Sequence, residues 1–101
     1  MVIYNVTIQV ENDVEAEWLQ WMLEIHIPEV MATGMFTTHH LARLLTRQDD
    51  ETGTTYVIQY FCSGMQDYDR YTAEFAPALQ AKTKEKFGGK FVAFRTLMET
   101  L

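Results

Sequence analysis

Cysteine is almost absent from this 101-residue chain: Cys62 stands alone. No disulfide can form within the chain, and a lone thiol fits a reducing cytoplasm. Proline occurs twice and glycine five times, too few for a linker-like, collagenous or low-complexity segment. Basic residues are scarce as well. Eight Lys and Arg stand against fourteen Asp and Glu, a formal charge of −6, whereas nucleic-acid partners call for a basic face. No apolar run approaches the ~20 residues that cross a bilayer, so no membrane partner is expected. The opening Met1-Val2-Ile3-Tyr4-Asn5 lacks a basic start and alternates with polar residues, unlike a secretory signal. What is present is 48% apolar and 22% charged, the composition of a folded unit. The length is that of one small domain, expected to span residues 1–101.

Val2 to Val10 alternates with period two and is rich in β-branched residues, which predicts a strand. Asn12 or Asp13 can cap the helix that follows, and Glu15 and Glu17 suit its positive end. That helix, about Val14 to Ile27, carries two adjoining apolar stripes. Trp18, Trp21, Met22 and Ile25 make one; Leu19, Leu23 and Ile27 make the other. The arc exceeds that of an ordinary surface helix and predicts a contact beyond its own sheet. Pro28 opens a further short turn and Gly34 stops it. Phe36 to about Arg47 reads as a second strand, although Leu41–Leu45 also suits a helix. Asp49-Asp50-Glu51-Thr52-Gly53 is a polar hairpin turn, and Thr54 to Cys62 a third strand. Ser63 and Gln66 have capping-box spacing before a helix through Tyr68, Thr72, Phe75 and Leu79, bent near Pro77. Gly88-Gly89 ends it, and Phe91 to Met98 is a fourth strand.

The order β-α-β-β-α-β is the ferredoxin-like arrangement, an α+β fold. Right-handed crossovers put both helices on one face of a four-stranded antiparallel sheet and leave the other face bare. With Tyr4, Val6 and Ile8 inward, Ile3, Asn5, Thr7 and Gln9 face away. By the same alternation so do Val57, Gln59 and Phe61. On the last strand Phe91, Ala93, Arg95 and Leu97 are assigned to the bare face, with Val92 and Phe94 in the core. The apolar members, Ile3, Val57, Phe61, Phe91 and Leu97, predict a homodimer interface between two sheets. The polar members, Asn5, Thr7, Gln59 and Arg95, would line a cavity there, with Arg95 suited to a small anionic or enol-type molecule.

Three histidines add to the candidates. His26 lies within the apolar arc of the first helix, where it either packs or serves as an acid/base contact. His39 and His40 are adjacent on a strand and so point to opposite faces. Only one reaches the bare face, and alternation does not settle which; His39 is included among the candidate cavity residues. Metal-ligand spacings such as His-x-x-x-His or Cys-x-x-Cys are absent, and no metal or other cofactor is expected. Cys62 falls inward with Tyr60, a structural thiol. Trp18, Trp21 and Met22 read as core.

Several blocks occur together: Tyr4-Asn5-Val6-Thr7, Trp18-x-x-Trp21-Met22 leading to His26-Ile27-Pro28, Thr33-Gly34-x-Phe36, Gln59-Tyr60, Ala76-Pro77-Ala78-Leu79, and Phe87-Gly88-Gly89 running on to Leu97. They resemble an uncharacterised bacterial domain-of-unknown-function family, number four-two-eight-six, over nearly the whole chain. That resemblance implies a dimeric α/β barrel. The barrel group holds cofactor-independent oxygenases, haem-degrading enzymes, peroxidases and stress-response proteins, so an enzyme here would be of the cofactor-independent oxygenase type or a related one. Fold alone does not transfer activity. Two functions are therefore set against each other: a cytoplasmic barrel that binds a small molecule, and a non-catalytic homodimeric scaffold.

Overall fold

The computed structural model describes residues 1–46 and 52–101. β1 (Val2–Glu11) leads to a helix in three parts: α1 (Glu15–Trp21), a π-helical turn (Met22–His26) and α2 (Ile27–Ala32). β2 (Thr38–Arg43), β3 (Gly53–Cys62), α3 (Met65–Glu74), α4 (Ala76–Phe87) and β4 (Phe91–Glu99) follow. The strands form one antiparallel sheet in the order β2-β3-β1-β4. This is the α+β ferredoxin-like fold. The expected turn at Asp49-Asp50-Glu51 lies outside the described residues, and β2 ends at Arg43, short of the expected end near Arg47.

The core forms where period-two and helical patterns meet. Val2, Tyr4, Val6, Ile8 and Val10 of β1 are buried beside Tyr56, Ile58, Tyr60 and Cys62 of β3, as their alternation requires. Trp18, Met22, Ile27 and Val30 cover them from the first helix; Tyr71, Leu79 and Phe87 cover them from the second. Gly34 (φ +78°) and Gly89 (φ +82°) end their helices in the left-handed region that glycine enters without strain.

The second turn expected at Pro28 is a continuation of the first helix. The Ile27 N–H bonds the Met22 carbonyl five residues back, one residue before Pro28, whose ring nitrogen has no hydrogen to give. Neither expected side-chain cap forms. Val14 and Gly64 occupy the cap positions; Asp13 instead accepts a bond from Lys90 Nζ at 2.9 Å. The bend near Pro77 is present as the break between α3 and α4 at Phe75.

β4 has the opposite phase from that assigned by alternation. Its register sets Leu97 opposite Tyr4, Arg95 opposite Val6, Ala93 opposite Ile8 and Phe91 opposite Val10. Paired residues share a face, so Phe91, Ala93, Arg95 and Leu97 lie on the helix side. Val92 and Phe94 lie on the uncovered side, 67% and 62% exposed. The strand is apolar on both sides, so its own pattern does not select a face. Its anchoring to β1 does: the Glu11 N–H bonds the Lys90 carbonyl at 2.9 Å, and the Thr100 N–H bonds the Met1 carbonyl at 3.0 Å.

Candidate ligand site

The residues expected in one cavity fall into two groups on opposite sides of the sheet. Asn5, Thr7 and Gln59 share the uncovered face, with Asn5 directly opposite Gln59. The Asn5 amide donates to Thr7 Oγ1 and Thr96 Oγ1, each at 3.2 Å, so neighbouring threonines satisfy it. Ile3, Val57 and Phe61 surround this group as expected. Phe91 and Leu97 do not, and Val92, Phe94 and Met98 take their places. His40, opposite Gln59, is the histidine on this face, its ring 5.3 Å from that of Phe61. His39 is turned to the helix side opposite Tyr60, and so leaves the candidate cavity.

Arg95 and His26 meet on the helix side. There a cavity of about 50 Å³ lies between sheet and helices, lined by Tyr4, His26, Tyr60, Tyr71, Thr83 and Arg95 among others. It adjoins a groove of about 400 Å³, lined by Pro77, Gln80, Ala81, Lys84, Phe91, Ala93 and Arg95. Gln80, Phe91, Ala93 and Arg95 belong to both, so Arg95 stands where the inner cavity meets the outer groove.

The chemistry of this site follows from burial and charge. Arg95 Nε donates to the Tyr4 hydroxyl at 3.0 Å and has no carboxylate partner among the described residues. Seven of the eight Lys and Arg are described, and five of them, Arg43, Arg70, Lys82, Lys86 and Lys90, are held in ion pairs. The two left over among those described, Arg95 and Lys84, line the same groove. In a chain of net charge −6 that is a local reversal of sign.

Behind Arg95 the hydroxyls are held neutral. Burial raises the Tyr60 and Tyr71 phenols above their ordinary range. Burial raises Tyr4 too, with Arg95 pulling the other way. Tyr60 is 2% exposed, and its hydroxyl has no hydrogen-bond partner among the described residues. A buried hydroxyl left without a partner costs about 1–3 kcal/mol and calls for an explanation. His26, at the end of the π turn, stacks on Trp21 with ring centroids 5.2 Å apart. Its Nδ1 lies 3.4 Å from Thr83 Oγ1, and among the described residues Nε2 has no partner. Burial, against a smaller opposing pull from Glu29, lowers its pKa to about 4, so the ring is neutral at pH 7.

Sequence reading missed Tyr4, Tyr60, Tyr71, Lys84 and Gln80 as site residues and took the tyrosines for core. A signal was present: inward positions carry tyrosine rather than phenylalanine, and every buried phenol needs a partner. Among the described residues, no group of three or more His, Cys, Asp or Glu side chains is placed to hold a metal ion. No described helix is long and apolar enough to cross a membrane.

No curated protein is similar in sequence. Solved structures of the same fold share little identity with the chain. An ethyl tert-butyl ether d (ethd) family protein from Bacillus halodurans is 12% identical, with a TM-score of 0.68 and full coverage of both chains. A dimeric ferredoxin-like protein from an uncultured marine organism is 11% identical at a TM-score of 0.69, covering 100% of this chain and 95% of that one. SnoaB, a cofactor-independent oxygenase from Streptomyces nogalater, is 14% identical at 0.66, covering 99% and 93%. At these identities the likeness speaks for the fold and not for the chemistry. The sequence itself carries the family: the model of the Domain of unknown function (DUF4286) matches residues 1–101, and the chain belongs to that family.

Proposed function

We propose that this protein is a homodimeric α/β barrel in which each protomer binds a small anionic or enol-type molecule on the helix side of its sheet. The observation that carries the reading is the pairing of Arg95 and Lys84 along one groove, without carboxylate partners among the described residues, in front of a cavity lined by neutral phenols. Small-molecule sites are mostly apolar clefts of roughly 300–1,000 Å³ with a few converging polar groups, and the outer groove is of that size. A guanidinium with one donor on Tyr4 keeps others for a planar anion, which it can hold in bidentate fashion. The location argued from alternation, between two sheets, gives way to this one because β4 carries Arg95 to the other face.

Dimerisation is a separate part of the reading. Val92, Phe94 and Met98, with Ile3, Val57 and Phe61, make an apolar uncovered face, and a fold neighbour is described as dimeric. Sheet-to-sheet pairing would leave the groove on the outer side of each protomer. The same apolar face is what favours the second reading, a non-catalytic homodimeric scaffold. Thermal unfolding in the presence of benzoate, salicylate and uncharged benzamide separates the two. Binding predicts that the acids raise the melting temperature of the wild type, that benzamide does not, and that Arg95→Ala removes the shift. Equal and negligible shifts for all three would leave the scaffold.

A further inference from the structure

The site proposed above contains more than an anion-holding pair, and we infer that it moves a proton on a small 2-keto acid, interconverting keto and enol forms, with His26 Nε2 as the base and the Tyr60 hydroxyl as the donor to the reacting oxygen. This rests on the binding reading, since Arg95 must hold the carboxylate. Three observations carry it. His26, Tyr60 and Arg95 line one cavity, and Arg95 also lines the outer groove. The Tyr60 hydroxyl is buried with no hydrogen-bond partner among the described residues, so it can donate to a ligand oxygen without first breaking a bond. Thr83 faces His26 Nδ1, which leaves Nε2 to meet a ligand.

The step balances without a co-reactant. His26 Nε2 takes a proton from the carbon next to the ketone. The C–H electron pair becomes the C=C bond, and the carbonyl π pair moves onto the oxygen, which accepts a hydrogen bond from Tyr60. The proton on His26 then goes to that oxygen to give the enol, or returns to carbon to restore the ketone. His26 starts uncharged at neutral pH, as a base must. An anion bound at Arg95 offsets part of the positive field that acts on the ring and so makes the base stronger. Tyr60 and Tyr71 stay protonated as donors.

Deuterium exchange tests this directly. The full chain at catalytic concentration is incubated in D2O near neutral pD with pyruvate, 2-oxobutyrate or phenylpyruvate, and loss of the C3 proton signal is followed by NMR. Exchange of at least one acid should run well ahead of buffer. His26→Asn should lower kcat at least 100-fold. Tyr60→Phe should lower kcat with little change in KM, whereas Arg95→Gln should chiefly raise KM. Wild-type exchange no faster than buffer for all three acids overturns the inference, whatever the variants do. So does a folded His26→Asn protein that exchanges like wild type. Melting curves on the same samples keep the two readings apart. Acids that stabilise the wild type without exchange refute proton transfer and leave binding standing, while acids that neither stabilise nor exchange count against both.

Discussion

His26 shows how one side chain can link stability to the state of the site. Its folded pKa of about 4 lies below the ordinary 6.5, chiefly because burial penalises the imidazolium. Between those values the unfolded chain binds a proton that the folded chain refuses. Stability from this group is therefore complete above about pH 6.5 and falls as pH drops towards 4, by roughly 2–3 kcal/mol in all. Melting temperatures measured across that window should fall more steeply for the wild type than for His26→Asn; parallel curves would contradict the burial of this ring. Tyr60 makes the opposite demand. Because its buried hydroxyl lacks a partner among the described residues, Tyr60→Phe should leave the melting temperature unchanged or raised while slowing the exchange reaction. A loss of more than about 1 kcal/mol in urea unfolding would mean that the hydroxyl is satisfied in the free protein.

At the scale of elements, β1 and β3 were legible because their inward residues are apolar and their outward ones largely polar, so one phase buries far more than the other. β4 was not, since Phe91, Val92, Ala93 and Phe94 offer apolar groups to both faces. The Arg95 assignment depended on that one choice of phase, and the candidate site moved with it. The first helix was read correctly as unusually apolar, but its second stripe divides. Ile27 is buried in the core, whereas Leu23 is 53% exposed, and Ile25 of the first stripe is exposed as well. Ile27→Ser should therefore cost more than about 2 kcal/mol in urea unfolding. Leu23→Ser should stay within about 0.5 kcal/mol, with any further effect appearing in solubility or association. Equal costs for the two would place the stripe wrongly.

The whole molecule presents one sheet face to its helices and another, studded with Val92, Phe94 and Met98, to a second copy in the proposed dimer. A specific interface of that kind buries about 1,200–2,000 Å² in total. Sedimentation should give a species of twice 11.8 kDa at micromolar concentration. Phe94→Glu should halve that mass without changing helix content, while a monomeric wild type would remove the barrel. Because the groove and the dimer face lie on opposite sides of the sheet, calorimetry should find one ligand per chain, and the monomeric variant should still bind. One ligand per dimer would return the site to the space between the sheets.

The linear pattern by itself determined the element order, the inward faces of β1 and β3, and the placing of Asn5, Thr7 and Gln59 on the outward one. Each of these follows from local period and burial preference, which act within a few residues of chain. The tertiary structure decided the rest. The phase of β4 is set by hydrogen bonds to a strand some ninety positions earlier, and with it went Arg95, Phe91 and Leu97. Whether a cation is paired depends on which carboxylates approach it in space, so the convergence of Arg95 and Lys84 had no trace in sequence spacing. Only packing distinguishes a buried phenol that has a partner, as Tyr56 has in Glu15 at 2.6 Å, from the Tyr60 hydroxyl, which has none among the described residues.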